Sequence, residues 1–407
     1  MRRTMQLQRN EYSLIRNDIS SGRPLPIIAP HPGATQRSFL HAASTPHEVS
    51  TQFLDDSLLP ENQAPLVMQV APYGPEFLPR DSDDIPVSMD AQIQKAVDCY
   101  NAGATVLHVH CREEDGQGSK RLSRFNEMLA RLREAVPHMV LQVGGSISFA
   151  PESEGEAARW LNDDVRHALA ELTPAPDQVT IAINTNQMNV CELLTPDDVA
   201  GTSLAEPAYA NAFREMWIPS GPAWVEELLR RLQAKGIQPH FMLGDVGQLE
   251  TVERLIRRGV YTGPLVLNWV AIGGGSDGPN PYNLMEFIRR TPQGAVLTIE
   301  GLMRNVAPLT TMAIAMGLHV RVGIEDNLWG SKGQRMTSVE QVEQMVRIAR
   351  ELHREVATGA EARRIYGIGE HYGSADATLE RLGMLPNRRP EQRDPAQQSL
   401  QAVRKAA

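Results

Sequence analysis

The chain has 407 residues and a formal net charge of −9, which argues against a general binder of nucleic acid or of anionic membranes, because such proteins need excess positive surface. Hydrophobic residues make up 42% of the sequence and charged residues 22%, the composition of an ordinary globular enzyme with a large core. The three cysteines have no paired spacing, which indicates free thiols in a reducing compartment.

The two ends of the chain lack a rhythm of strands and helices. Residues 1–62 are rich in Ser, Pro, Asn and Gln, and we interpret them as an N-terminal extension that wraps the body or reaches a neighbouring subunit, with a partly disordered tail as the alternative. Residues 386–407 form a polar C-terminal tail. The sequence has no apolar stretch of a secretory signal and no run of the roughly 18–20 apolar residues of a membrane helix, so we expect a cytoplasmic protein without membrane contact.

Residues 63–385 alternate short apolar runs, often β-branched, with amphipathic stretches. Such runs are typical of strands in a parallel sheet, which are buried on both faces. Eight of these units, without a phosphate-binding GxGxxG loop after the first strand, predict a single (β/α)₈ (TIM) barrel of the α/β class rather than an open doubly wound sheet. The predicted strands are 65–71, 104–110, 139–145, 178–184, 238–243, 264–271, 295–301 and 319–323, and the main predicted helices are 89–103, 123–136, 221–236, 247–259 and 337–356.

Two long connections could also serve the site. Residues 200–219 form an insertion after the fourth strand and could be a lid over the pocket. Residues 273–284 form a Gly-rich loop that enters a helix at Pro281, and its backbone N–H groups could meet an anion or an acyl thioester arm. A plain long loop is the alternative interpretation.

In a barrel of this kind the functional groups lie at the C-terminal ends of the strands and on the loops that follow them. The sequence therefore defines a short set of candidates before any chemistry is assigned. In chain order they are Glu76, His108, His110, Gly144 to Ser146, Asn184, Asp245, Asn268, Glu300, Arg304, Arg321, Glu325 and Asp326.

The HVH sequence at 108–110 is the most informative of these. Side chains alternate along a strand, so His108 and His110 project to the same face, about 6–7 Å apart along the strand, while Val109 and Cys111 point away. Two imidazoles in this arrangement can share a tetrahedral metal ion if a third ligand comes from elsewhere. The alternative is two hydrogen-bonded histidines at the mouth of the barrel.

The GIEDN sequence after the last strand places Glu325 and Asp326 side by side. Adjacent carboxylates there usually have separate roles, so one could bind the metal while the other acts as a base, although an ordinary acidic loop has the same pattern. Arg321 lies on the buried last strand, where a guanidinium needs a partner, and we expect it to pair with Asp326 or with a substrate carboxylate.

These residues and their spacing resemble a known family, the β-keto acid cleavage enzymes. The resemblance covers about residues 65–365, and the HxHxRxxDG-like element together with HVRxGxEDN is specific. The motifs that carry it are GPE (74–76), IPVS (85–88), AGATVLHVHCREEDG (102–116), RLSRF (121–125), NLMEFI (283–288), GLMR (301–304) and HVRVGIEDNLW (319–329).

The resemblance implies a (β/α)₈ barrel that holds one Zn²⁺ per subunit and forms a homo-oligomer, a tetramer or larger. The implied reaction is an acyl exchange in which a β-keto acid and acetyl-CoA, as co-substrate, give acetoacetate and a new acyl-CoA. The implied metal ligands are His108, His110 and Glu325, the catalytic pair is Asp326 and Arg321, and the substrate-binding residues are Glu76, Asn184, Gly145 and Ser146.

Three positions depart from the pattern of the family. Gly144 stands where a Ser commonly grips the substrate carboxylate, Ala182 where a Thr or Ser is found, and Met242 where a Glu can meet an ammonium group. We therefore expect a substrate that is less cationic at its far end than an amino-keto acid. Two other functions stay open on the residues alone: a metal-dependent hydrolase or aldolase that does not use CoA, and a non-catalytic metal-binding barrel.

Overall fold

The computed structural model describes residues 56–74, 77–144, 166–303, 307–331 and 334–388. Most of the predicted N-terminal extension (1–62) and of the C-terminal tail (386–407) lies outside these residues. The same holds for three of the predicted substrate-binding residues, which are Glu76, Gly145 and Ser146.

Eight parallel strands close into a barrel, as the sequence predicts. The barrel strands, each of which lies within its predicted range, are β1 (Met68–Val70), β2 (Val106–Val109), β3 (Val140–Val143), β4 (Gln178–Ala182), β7 (Gln238–Leu243), β8 (Val266–Ala271), β9 (Val296–Gly301) and β10 (His319–Val322). Their spatial order is β1-β10-β9-β8-β7-β4-β3-β2. A separate pair, β5 (Asn186–Gln187) and β6 (Trp217–Ile218), lies outside the predicted strands.

Helices surround the barrel, and the five main predicted helices start within one residue of their predicted positions. Local sequence explains two of their ends. Ser88 caps α1 by accepting a hydrogen bond from the backbone N–H of Ala91, and Gly103, with φ 119°, ends the helix in the left-handed conformation. The α-helices of the described residues are α1 (Met89–Ala102), α2 (Leu122–Ala135), α3 (Pro196–Val199), α4 (Pro207–Arg214), α5 (Pro222–Ala234), α6 (Val246–Arg257), α7 (Pro281–Arg290), α8 (Ala307–Ala315), α9 (Ser338–Glu351), α10 (Gly359–Ile365) and α11 (Ala375–Arg381).

The two faces of the barrel strands are buried in different ways. The outward side chains, such as Leu107, Leu141 and Ile181, join the main apolar core between sheet and helices. The inward side chains are largely polar although they are fully buried, and Gln142 and Thr298 are examples. A polar interior of this kind requires internal hydrogen bonds, because an unpaired buried polar group is costly.

A second apolar cluster covers the C-terminal end of the barrel. The segment between β4 and α5 folds back so that β5 pairs antiparallel with β6. Its buried residues Phe213 and Met216 pack with Leu302 and Met303, which follow β9. The predicted lid segment, 200–219, therefore contributes to a cap on the mouth of the barrel.

An ionic cluster holds elements together at the N-terminal side of β4. Asp177 accepts hydrogen bonds from Arg133 of α2 at 2.9 Å, from Arg363 of α10 at 2.7 and 2.9 Å, and from the backbone N–H of Leu141 at 2.9 Å. Burial alone would raise the pKa of Asp177, but these hydrogen bonds outweigh it and hold the pKa below its usual range.

No helix within the described ranges is long and apolar enough to cross a membrane.

The Asp177→Asn substitution should lower the free energy of unfolding at pH 7 by about 2 kcal/mol, because it removes the charge that three donors share. A carboxylate with a lowered folded-state pKa stabilises the protein above its unfolded-state pKa of about 4 and loses that effect as the pH falls through the folded-state pKa. The difference between the variant and the wild type in urea unfolding should therefore shrink below about pH 4. Glu227→Gln, on the exposed face of α5, is the control, and an equal loss in both variants would contradict the role of Asp177.

Candidate metal centre and active site

His108 and His110 lie at the C-terminal end of β2 and are both buried. As the alternation along a strand predicts, the two rings project to the same side, and their Nε2 atoms are 3.1 Å apart. Two imidazole nitrogens that face one point at this distance are arranged to share a proton or an ion.

Glu325 reaches the same point from the turn after β10. Its Oε1 lies 3.3 Å from Nε2 of His108 and 3.5 Å from Nε2 of His110. The turn depends on Gly323, whose φ is 138° and where a Cβ would come within 2.2 Å of the backbone oxygen of Ala71. This close approach to β1 sets the direction in which the chain leaves β10, and thereby brings Glu325 over the histidines.

Three ligand atoms of His108, His110 and Glu325 lie within 4.8 Å of one another. Two imidazole nitrogens and one carboxylate oxygen form the donor set of a catalytic zinc site that leaves a position open for substrate. The second oxygen of Glu325, Oε2, is buried and has no hydrogen-bond partner. The donor set and this orphaned oxygen both fit a divalent cation.

A chain of buried glutamines fixes the tautomer of His108. Gln238 donates through Nε2 to the backbone oxygen of Tyr366 at 2.8 Å, so its own Oε1 faces Gln178, from which it accepts a hydrogen bond at 2.6 Å. Gln178 in turn accepts from Gln142 at 2.9 Å, and Oε1 of Gln142 lies 2.7 Å from Nδ1 of His108. Because the backbone oxygen at the far end can only accept, the direction of the whole chain is set, and Nδ1 of His108 is the protonated nitrogen.

With Nδ1 protonated, Nε2 of His108 presents its lone pair to the site. Burial and the nearby Arg321 lower the pKa of His108 well below its usual value, so the ring is neutral. Burial would raise the pKa of Glu325, but the guanidinium of Arg321 beside it favours the charged form and keeps the pKa low, so the carboxylate is ionised. A neutral imidazole and an ionised carboxylate are the protonation states that a metal ligand needs.

Arg321 binds both acidic residues of the EDN motif. It is buried on the inner face of β10 and donates to Asp326 twice, from Nε to Oδ2 at 2.8 Å and from Nη2 to Oδ1 at 2.6 Å. Its Nη2 also donates to Oε1 of Glu325 at 2.8 Å. The pairing of Arg321 with Asp326 that the sequence analysis expects is present, and the same guanidinium reaches the candidate metal ligand.

Glu300, at the end of β9, adds a third carboxyl group to this guanidinium. Its Oε2 lies 3.4 Å from Nε of Arg321 and accepts a hydrogen bond from the side chain of Asn268 on β8. Burial raises the pKa of Glu300 to about 8 and that of Asp326 to about 6, although Arg321 acts in the opposite direction on both. Glu300 and Asn268 are among the candidates that the sequence places at strand ends, but no motif or spacing in the sequence predicts a role for either residue.

Two other predicted residues lie elsewhere. Asn184, with φ 64°, donates its side-chain amide to Thr251 of α6 at 3.2 Å and does not line the cavity that contains His108. Asp245 caps α6, because it accepts a hydrogen bond from the backbone N–H of Gln248 at 3.0 Å. The left-handed turn at Asn184 directs its side chain to α6. The position of Asn184 at the end of a strand does not predict this direction.

Gly144 lies directly beneath the histidines. A Cβ at this position would come within 2.4 Å of the ring of His110 and 3.0 Å of Nε2 of His108. The Ser that the family pattern has at this position therefore does not fit the observed ring positions. The departure at Gly144 and the placement of His110 are two aspects of one packing arrangement.

Arg112 connects the histidine strand to the loop after β1. It is buried and donates to the backbone oxygens of Tyr73 and Phe77 at 3.0 Å each and of Gly116 at 2.7 Å. Through these hydrogen bonds to backbone carbonyl groups, the guanidinium of Arg112 holds the loop that follows β1 against the end of β2.

Comparison with known proteins identifies the family. The model of the beta-keto acid cleavage enzyme family matches residues 65–368. The 3-keto-5-aminohexanoate cleavage enzyme of Acetoanaerobium sticklandii is 26% identical over 308 residues, which cover 75% of this chain and 99% of that protein. The 3-oxoadipate:acetyl-CoA acetyltransferase of Cupriavidus necator is 24% identical over 310 residues, which cover 75% and 95%.

A solved structure of ObcA in complex with oxaloacetate has the same fold, with a TM-score of 0.50 and 15% identity over 70% of this chain and 68% of that one. The family match spans all seven motifs that carry the resemblance, and all eight strands of the barrel. This chain is a member of the beta-keto acid cleavage enzyme family.

Proposed function

We propose that this protein catalyses a metal-dependent acyl exchange in which a β-keto acid and acetyl-CoA give acetoacetate and a new acyl-CoA. The observation that carries the proposal is the meeting of His108, His110 and Glu325 beside the buried Arg321–Asp326 pair. The relatives are named for the cleavage of a keto acid and for acetyl transfer from acetyl-CoA, and their names support the same class of reaction.

The exchange begins when a proton leaves C2 of the β-keto acid. C2 then forms a bond to the acetyl carbonyl carbon of acetyl-CoA, and the CoA thiolate leaves. The thiolate attacks the original keto carbon, the bond between C2 and C3 breaks, and C2 regains its proton. The products are acetoacetate and the acyl-CoA of the original acyl group, and no oxidant or reductant is consumed.

Asp326 is the group that we assign to the proton at C2. Burial raises its pKa to about 6, so the carboxylate is ionised at neutral pH and yet basic enough to accept a proton from a carbon acid. The two hydrogen bonds from Arg321 fix its orientation. A divalent cation held by the His–His–Glu set, for which we propose zinc, would supply Lewis-acid stabilisation of the negative charge that develops on the carbonyl oxygens.

The substrate carboxylate needs hydrogen-bond donors, and two buried groups of the described cavity are available. Oγ1 of Thr180 and Nη1 of Arg321 both line this cavity and have no hydrogen-bond partner. We propose these groups, together with Glu76, Gly145 and Ser146 as the resemblance implies, for substrate binding. Met188, which follows β5, and Ile218 of β6 also line the cavity and would exclude water from the reacting carbons.

Metal analysis tests the proposed ligands. After loading with zinc and dialysis, the wild type should retain about one equivalent per chain, and His108→Ala should retain less than about one tenth, because a site with three protein ligands loses most of its affinity with one of them. His138→Ala, an exposed histidine before β3, is the control and should keep its zinc. Zinc retained by a folded His108→Ala protein, with folding checked by circular dichroism, would rule out the assigned site.

The need for acetyl-CoA separates the proposed exchange from the CoA-independent alternatives. With zinc, 3-oxohexanoate and acetyl-CoA, the protein should form butyryl-CoA and acetoacetate in equal amounts, as measured by mass spectrometry, and neither product without acetyl-CoA. Cleavage of 3-oxohexanoate at the same rate without acetyl-CoA would instead establish a hydrolase or an aldolase.

The role of Asp326 can be separated from binding by deuterium exchange. Asp326→Asn should lower kcat/KM by roughly 10²–10⁴-fold, the usual effect of losing a general base, while the zinc content is unchanged. It should also lose the enzyme-dependent exchange of the C2 protons of acetoacetate in D₂O, followed by NMR without acetyl-CoA. Asp90→Asn, at an exposed carboxylate of α1, is the control, and exchange at the wild-type rate by Asp326→Asn would refute the assignment.

A further inference from the structure

Two cavities meet at the mouth of the barrel. The inner cavity is lined by the metal-site residues His108 and Glu325 and by the Arg321–Asp326 pair. The outer cavity lies over the ends of β4, β7 and β8 and includes Ser276 of the following loop. Both cavities share one wall, and all of its members are apolar: Ala182, Met188, Ile218, Met242 and Val270.

Charge is distributed unevenly between these cavities. The described residues that line the outer cavity include no ionisable side chain. Its polar members are engaged within the protein: the amide of Asn186 donates to Oγ of Ser276 at 3.3 Å, and Gln248 accepts from the backbone N–H of Gly244 at 2.6 Å. A charged group brought into this space would lose its hydration without gaining a counter-charge from these residues, which is costly.

One further cation of the inner cavity, Arg166, is built into its wall. Its guanidinium lies 4.0 Å from the centroid of the ring of Trp224 and donates to the backbone oxygen of Pro219. These contacts join the start of α5 to the segment that leads into it. Arg166 therefore supports the wall, and we do not assign it to the far end of a substrate.

Two methionines form the adjustable part of the shared wall. Met242 lies on the inner face of β7, between its register partners Ala182 on β4 and Asn268 on β8. Met188 follows β5 in the cap and, like Met242, is only partly buried. An unbranched thioether side chain can change rotamer at low cost, so these two side chains can part and join the inner cavity to the outer one.

We propose that the acyl group of the β-keto acid substrate is uncharged and apolar, and that its chain passes between Met188 and Met242 into the outer cavity. This inference rests on the proposed function, in which a cation held by the His–His–Glu set would stabilise charge on the carbonyl oxygens of the substrate. The carboxylate end then remains beside Arg321, and carbons beyond C4 contact the shared wall. Each methylene buried there should strengthen binding about fourfold.

A panel of β-keto acids tests the proposal on the zinc-loaded protein. With acetyl-CoA, kcat/KM should rise about 16-fold from 3-oxohexanoate to 3-oxooctanoate, since two more methylenes are buried. It should be at least about 100-fold lower for 3-keto-5-aminohexanoate and 3-oxoadipate, because a buried unpaired charge is costly. A preference for either charged substrate would overturn the proposal.

Variants at Met242 test whether the preference for an apolar acyl chain depends on the shared wall. Met242→Glu should lower kcat/KM for 3-oxooctanoate at least about tenfold by desolvating a new carboxylate, without loss of zinc, and Met242→Leu should stay within about threefold of wild type. Met285→Glu, at an exposed methionine of α7, is the matched control and should leave the value unchanged. Equal effects of Met242→Glu and Met285→Glu would contradict the proposed path of the chain.

A binding measurement keeps this inference separate from the proposed function. Octanoate, 8-aminooctanoate and suberate have similar lengths and differ in the charge of the far end. Titrated against the fluorescence of the protein, in which Trp224 lines the inner cavity, octanoate should bind at least about tenfold more tightly than the other two. If no β-keto acid yields acetoacetate, the proposed function fails, but the relative affinities for the three acids still show whether the cavity prefers an uncharged chain end. If either charged acid binds as tightly as octanoate, the inference fails although acyl exchange occurs.

Discussion

The buried guanidinium of Arg321 is the interaction on which the rest of the site depends. Three carboxyl groups, those of Glu300, Glu325 and Asp326, surround one cation inside the barrel. Without that cation the ionised carboxylates of Glu325 and Asp326 would lie close together with little solvent, and their charges would repel one another. Breaking a buried pair of this kind typically costs about 3–5 kcal/mol, because a charge is left without a partner. The order of the site therefore comes from charge balance within the fold.

The glutamine chain provides a second constraint, which acts from the opposite side of the barrel. It begins at the backbone oxygen of Tyr366, after α10, and ends at Nδ1 of His108 on β2. Each amide has one donor side and one acceptor side, so the anchor at one end sets the orientation at the other. A polar barrel interior thus contributes directly to the chemistry, since it presents the unprotonated Nε2 of His108 to the candidate metal centre.

Much of the fold and the central part of the site can be predicted from the sequence, because both depend on local periodicity. Alternating apolar runs locate the eight strands, and strand alternation places His108 and His110 on one face. The pairing of Arg321 with Asp326 follows from the cost of a lone buried cation. The glutamine chain could not be predicted, because it joins residues far apart in sequence that carry no distinctive spacing. Asn184 and Gly144 show the same limit: a left-handed φ and a contact with a histidine ring depend on tertiary packing.

The central claim is that His108, His110 and Glu325 form one metal centre in which the imidazole Nε2 atoms are the ligands. X-ray absorption spectroscopy at the zinc edge of the loaded protein tests it most directly. We expect a coordination shell of nitrogen and oxygen at about 2.0–2.1 Å with the scattering of two imidazole rings, and no sulfur. A sulfur shell near 2.3 Å, or a spectrum without imidazole scattering, would contradict the account.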